Sequence, residues 1–426
     1  MGLGLLGGGV EDALFFIKQG AKLTITDLRD EISLKPSIEK INKTLGASDV
    51  SVEWVLGEHR TKDFAGADII LKNPGVPNNS KYLEIARKNN VPIYSSAEIL
   101  FEIVDTNKLI GVTGTKGKSS TTGLIYEILK IKDPNAYIAG IPGVSLLKHA
   151  DKAANNWGVV ELSSWQLESI NLSKKSPHVA IITNIEEDHL NRHGDMDKYT
   201  EAKKNIFKFQ TASDFLILPE TLKDMAKDAP SQVIISSPAD IEDKHTQITH
   251  RENISMALKV SKILGIDEAQ ALKKIKEFKG LPGRLEFITE IQGIKIYNDT
   301  TATNPFATLR SIENFQDKKI ALIAGGEDKD LDYKKLATKI KNLHFVALLP
   351  GTASDKIYSW GIGHGTWNKD FQQVENLQEA LTKSLNSKPD VILFSPAASS
   401  FNMFINEFER GDKFVEEVKK YAQKKK

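Results

Sequence analysis

The chain contains no cysteine. Disulfides, thiolate metal sites and a cysteine nucleophile are therefore excluded. It also lacks an excess of charge of either sign, with 57 Lys plus Arg against 56 Asp plus Glu. That balance gives no electrostatic basis for binding nucleic acid or an acidic membrane surface, and neither partner is expected. The one basic run, KKYAQKKK at Lys419 to Lys426, reads as a solvated helix end. No apolar run approaches the ~20 residues of a membrane span, and no signal peptide is visible. A cytoplasmic protein without membrane insertion is the expectation. Internal repeats and low-complexity segments are absent as well.

What is present is an ordinary globular composition, 40% apolar and 27% charged, in 426 residues. At ~150 residues per domain, that length predicts two to four domains. Short apolar runs alternate with helical patterns: 22–26, 68–73, 108–113, 157–162, 179–184, 215–218 and 233–236, then 294–299, 319–326, 344–350 and 391–395. Most are continuously apolar, as strands buried on both faces are. Their alternation with helices predicts α/β architecture with parallel sheets. Three blocks follow: 1–105, 106–280 and 281–426, the last boundary set by the turn chemistry of Lys279-Gly280-Leu281-Pro282-Gly283. Gly2, Gly4 and Gly7 form a G-x-G-x-x-G preceded only by Met1. Such a loop normally follows a buried strand, so either the first strand is missing, with a true start upstream as the favoured expectation, or the glycines serve another purpose.

The sharpest local signal is LIGVTGTKGKSSTTGLIYEILK. A strand, Leu109 to Thr113, runs into Gly114-Thr115-Lys116-Gly117-Lys118-Ser119-Ser120, and a helix follows with Leu124, Ile125, Ile128, Leu129 and Ile131 on one stripe. Glycines let backbone N–H groups face phosphate oxygens, and the helix N-terminus adds partial positive charge. Lys118 is placed to reach the β/γ-phosphates and the Ser119 hydroxyl to bind Mg²⁺. The first glycine of the strict eight-residue pattern is Val112 here. An ordinary strand–turn–helix with a surface lysine would share part of this pattern, but not its whole order.

The sequence G-T-x-G-K-S-S-T after a strand resembles the phosphate loop of the Mur ligases. ELSSWQLE (161–168), NIEEDHLNRH (184–193), YTEAK (199–203), NDTTATNP (298–305), SPAASSF (395–401) and ERGDKF (409–414) are similar to that family's further motifs, in order and across nearly the whole chain. Within the family the resemblance is to the glutamate-adding branch. It implies a three-domain α/β architecture: a Rossmann-like N-terminal domain for the UDP substrate, a central phosphate-loop ATPase-type domain, and a Rossmann-like C-terminal domain for the amino acid. It implies ATP-dependent ligation of glutamate to UDP-N-acetylmuramoyl-L-alanine by a monomer, in peptidoglycan precursor synthesis. The chemistry is coherent on its own terms. A carboxylate accepts an amine only after its oxygen is made a good leaving group, and γ-phosphoryl transfer does that by forming an acyl phosphate. Holding such crowded anions requires metal ions and cations.

The resemblance also assigns residues. Ser119, Glu161 and His189 are implied as ligands of two Mg²⁺ ions, and Glu161 and His189 stand at predicted strand ends, where open α/β sheets bind ligands. Lys203 is implied to be carboxylated by CO₂, which turns a cation into an anionic metal ligand and requires a neutral amine. Its neighbour Lys204 reads as a solvated helical lysine. Asn253 is implied at adenine, with Arg284 and Asp299 at the ATP phosphates or ribose. Thr301, Thr303, Ser400 and Phe401 are implied at the incoming amino acid, and Gly4, Asp27, Gly75 and Ser163 at the UDP substrate. Departures stand beside these. Thr301 occupies a lysine position, so Arg310 or Lys329 would substitute, the amino acid would be L-glutamate or another residue, or the ligase would be weakened. Lys116 replaces an asparagine, AGIPG (139–143) lacks one, and Asn191 replaces an aspartate. The competing readings are a folylpolyglutamate synthase-like ligase, another Mur step, and a non-catalytic nucleotide-binding module. The first suits the N-terminal glycines and SPAASSF poorly; ELSSWQLE and ERGDKF disfavour the second; the retained Lys118, Ser119, Glu161, His189 and Lys203 disfavour the third.

Overall fold

The computed structural model describes the chain except residues 6, 47–49, 171–172, 188–189, 239–248, 250, 364–370 and 425–426; residues 190, 191, 362, 363 and 424 are described without their side chains. Two compact units form, Met1–Lys244 with Arg251–Lys276, and His245–His250 with Glu277–Lys426.

The first unit begins with two parallel strand pairs. β1 (Leu23–Asp27) pairs with β2 (Val52–Leu56), and β3 (Ile70–Leu71) with β4 (Ile93–Tyr94). Residues 1 and 2 lie in the ladder position between them: Gly2 N–H donates to Thr26 O at 2.8 Å, and Asn73 N–H to Met1 O at 3.1 Å. Six parallel strands follow: β5 (Leu109–Thr113), β6 (Tyr137–Ala139), β7 (Gly158–Glu161), β8 (Val179–Ile182), β9 (Phe215–Pro219) and β10 (Gln232–Ser236). Their order is β10-β9-β8-β5-β7-β6. All residues of β5, β7 and β8 are buried, which is why they read as unbroken apolar runs. Strand order reverses at β5, whose neighbours are β7 and β8. A crevice at the carboxyl ends of the strands is the usual result, and the phosphate loop leaves β5 there.

The second unit holds one six-stranded sheet of β11 (Glu286–Ile291), β12 (Ile294–Asn298), β13 (Ile320–Gly325), β14 (Phe345–Leu349), β15 (Phe371–Gln373) and β16 (Val391–Phe394), in the order β11-β12-β16-β13-β14-β15. Only β11 and β12 are antiparallel. They are joined by Gln292-Gly293 with φ of 51° and 82°, the left-handed pair that a two-residue hairpin needs. Asn298 pairs with Phe394, so the loops leaving β12 and β16 emerge side by side. That register decides where residues 299–303 and 395–400 meet.

Candidate active site

The phosphate loop is shaped by glycines and locked by β8. Gly117 (φ 79°) caps the helix Lys118–Lys132, and Gly114 has φ 145°. A Cβ at Gly114 would stand 1.9 Å from Thr183 Oγ1, and one at Gly117 would stand 2.6 Å from Asn253 Oδ1. The Asn184 side chain grips the loop from both sides: its Oδ1 accepts from Lys116 N–H at 2.8 Å, and its amide donates to Lys116 O at 3.0 Å. Thr183 Oγ1 donates to the same carbonyl at 2.6 Å. Lys116 therefore serves the loop through its backbone. Lys118 Nζ curls back to donate to Gly114 O and Thr115 O, both at 3.1 Å, which holds a cation over the loop. Asn253, 5% exposed, lies against Gly117 from the helix Arg251–Ile263, which packs on the helix Lys118–Lys132.

The Ser119 hydroxyl donates to Glu161 Oε2, joining the first turn of the loop helix to the end of β7. Both side chains are buried. A hydroxyl and a carboxylate oxygen are the hard donors Mg²⁺ takes, so this pair fits that ion. Among the described residues, no three His, Cys, Asp or Glu side chains cluster closely enough to hold a metal. His189 lies outside the described residues. Lys203 is 1% exposed; its Nζ donates to Gly114 O at 2.8 Å and sits 4.5 Å from the Tyr199 ring centre. Lys204 turns outward to Asp228 at 2.8 Å. The buried lysine thus meets the phosphate loop at the carbonyl that also receives Lys118.

In the N-terminal part, Asp27 ends β1 and accepts from Gly4 N–H at 3.0 Å and Arg29 N–H at 2.9 Å. Gly75 N–H donates to Asn73 Oδ1 at 3.0 Å. Ser163 donates to Gln166 Oε1 at 2.8 Å, which begins the helix Ser164–Ile170. Glu168 of that helix binds Arg192 and His193, each at 3.1 Å, and Arg192 donates to Pro74 O at 3.2 Å. The NPG turn and the ELSSWQLE helix are thereby tied through Arg192.

In the second unit the site residues lie on the loops that leave β12 and β16 and on the turn before β11. Asp299 is 6% exposed, with Oδ2 accepting from Ser311 at 2.6 Å and Ser395 at 2.8 Å, and Oδ1 from Leu285 N–H at 3.1 Å. Burial pushes its pKa up to about 6, while those donors and the Arg284 charge oppose the rise. Within this unit it is a brace between loops. Thr301 Oγ1 donates to Gly283 O at 2.9 Å, the same carbonyl that receives its backbone N–H at 3.1 Å. Thr303 follows on the same loop, its N–H bonded to Thr301 O at 3.0 Å. Ser400 is 2% exposed with a hydroxyl that has no protein partner, whereas Phe401 beside it is 68% exposed.

Comparison with known proteins places the chain in a family. Residues 1–95 match the Mur ligase MurD-like N-terminal domain, residues 112–276 the Mur ligase middle domain, and residues 283–398 the Mur ligase glutamate ligase domain. The UDP-N-acetylmuramoylalanine–D-glutamate ligase of Borreliella afzelii (strain PKo) is 35% identical over 97% of this chain and 95% of its own. The ligase of the same name from Roseiflexus sp. (strain RS-1) is 33% identical over 99% and 98%. This chain belongs to the Mur ligase family. Solved structures share the fold: UDP-N-acetylmuramate-alanine ligase from Thermotoga maritima has a TM-score of 0.64 at 19% identity, covering 99% of this chain and 98% of that one. A MurF ligase from the same organism, in complex with ADP, has a TM-score of 0.55 at 18% identity, covering 85% and 100%.

Three residues of this Mur ligase escaped the sequence reading. Asn184 and Arg410 lie inside quoted motifs, but nothing in the sequence shows that their side chains turn back on backbone carbonyls. Asp12 carries no motif at all. It is 5% exposed and accepts from Ser96 at 2.6 Å and Ser145 at 2.9 Å. The one available signal was an acidic residue on the apolar stripe of the helix Gly8–Lys18.

Proposed function

We propose that this Mur ligase couples ATP cleavage to amide formation, adding glutamate to UDP-N-acetylmuramoyl-L-alanine through an acyl phosphate. The observation that carries the reading is the convergence of Lys118, Lys203 and the Ser119–Glu161 pair on one phosphate loop. The substrate carboxylate attacks the γ-phosphorus of ATP and ADP leaves. Glutamate's amine attacks the acyl carbon, loses a proton and expels phosphate. The loop N–H groups and Lys118 meet the phosphates, which places positive charge where negative charge accumulates. Ser119, Glu161 and His189 would hold Mg²⁺, with a carboxylated Lys203 adding an anionic oxygen. Bound Mg²⁺ would neutralise phosphate charge.

Asn253, beside Gly117, is assigned to adenine, Arg284 to the phosphates, and Asp299, which also holds the Arg284 loop through Leu285 N–H, to the ribose or the metal-bound phosphates. Ser400 and Thr303 are assigned to the amino acid, and Gly4, Asp27, Gly75 and Ser163 to the UDP substrate. The relatives' shared name favours D-glutamate over L-glutamate. A cytoplasmic monomer belongs to the same reading, and among the described residues no helix is long and apolar enough to cross a membrane. The test is phosphate release from ATP with UDP-N-acetylmuramoyl-L-alanine plus D-glutamate, against L-glutamate and against a folate acceptor. Release with D-glutamate is expected. Release with neither glutamate would defeat the reading.

A further inference from the structure

A charged side chain is almost never fully buried unless something fixed compensates it. Arg410, on the helix Glu407–Lys424, is 1% exposed. Its guanidinium makes three bonds to two loops: Nε donates to Thr300 Oγ1 at 3.1 Å, one terminal nitrogen to Thr300 O at 2.7 Å, and the other to Ala398 O at 3.0 Å. Thr300 Oγ1 in turn donates to Glu407 O at 2.8 Å, so the hydroxyl accepts and donates without conflict. Gly411 lets the helix approach, since a Cβ there would stand 2.5 Å from Thr300 Cγ2. The two loops also bond directly, Ala397 N–H to Ala302 O at 2.8 Å, and Ala397 holds a left-handed φ of 62°. A non-glycine residue keeps that conformation only where its surroundings impose it. The loops so fixed carry Thr303 on one side and the partnerless Ser400 hydroxyl on the other. Asp299 has separate donors, so the guanidinium acts on residues 300–303 and not on the residue before them.

We propose that Arg410 is a positioning residue for the amino-acid subsite, fixing the 300–303 loop against the 397–400 loop. This rests on the ligase reading above. A planar fork with several donors is required, because a lysine ammonium cannot span the same three acceptors. In Arg410→Lys the KM for glutamate should rise at least about ten-fold, while the KM values for ATP and UDP-N-acetylmuramoyl-L-alanine stay within about two-fold. Hydroxylamine, a small nucleophile that needs no amino-acid subsite, should still trap the acyl phosphate as hydroxamate at the wild-type rate. Thr300→Val, which keeps the guanidinium but removes its Nε acceptor, should raise the same KM by about three-fold. It decides the matter if Arg410→Lys does not fold. An unchanged glutamate KM in the folded variant overturns the assignment, as does a parallel rise in all three KM values with loss of hydroxamate. Absence of wild-type turnover would overturn the ligase reading itself, and this assignment with it.

Discussion

Asp12 sets a pH dependence that can be measured directly. It projects from the helix Gly8–Lys18 and accepts from Ser96, at the start of the helix Ser96–Ile103, and from Ser145, beyond β6. Burial pushes its pKa up from 3.8 to about 6, and the two serine hydroxyls limit the rise. The folded value lies above the unfolded one, so the stability linked to this group is complete below pH 3.8 and lost as pH rises through 6. The interval between 3.8 and 6 corresponds to about 3 kcal/mol. Asp12→Asn keeps an acceptor and an amide for the two hydroxyls but cannot ionise. The variant should therefore gain on wild type by about 3 kcal/mol between pH 3 and pH 7.5. Denaturant unfolding of both proteins across that range measures the difference, and carbon NMR of the Asp12 carboxyl gives the midpoint. A stability difference that does not change with pH, or a carboxyl midpoint near 4, would refute the reasoning.

Lys203→Ala should abolish ligation, and excess bicarbonate should not restore it; wild-type turnover in that variant would remove Lys203 from the site. Gly117→Ala forces a left-handed alanine, at about 1–2 kcal/mol, and drives its Cβ against Asn253. ATP affinity measured by titration calorimetry should fall at least ten-fold, and an unchanged affinity would contradict the loop geometry. Thr301→Val removes the hydroxyl bond to Gly283 but keeps the backbone bond at 3.1 Å. Stability should drop by about 1 kcal/mol with little change in glutamate KM, whereas a large KM rise would make Thr301 a ligand after all.

The sequence determined those features whose cause is local. Continuous apolar runs marked the strands buried on both faces, β5, β7, β8, β13, β14 and β16 among them. Glycines between β5 and an amphipathic stripe marked the phosphate loop, and the ordered motifs marked the family. Strands β2, β6, β11 and β15 went unread: each carries partly exposed positions and none presents an unbroken run of buried residues; β4 has only two residues. Other features were decided only by tertiary structure. Ser119 meets Glu161 across 42 residues, and Lys203 meets Gly114 across 89, because β5, β7 and β8 end side by side. Thr301 and Asp299 lie in site-like motifs, and only the fold shows that their polar atoms also bond Gly283, Ser311 and Ser395. Arg410 gains its place only when β12 and β16 bring two loops into register. Side-chain type and spacing limit what chemistry a segment can offer. Whether a hydroxyl, carboxylate or guanidinium remains available to a ligand depends on which distant backbone groups the packed sheets bring within hydrogen-bonding distance.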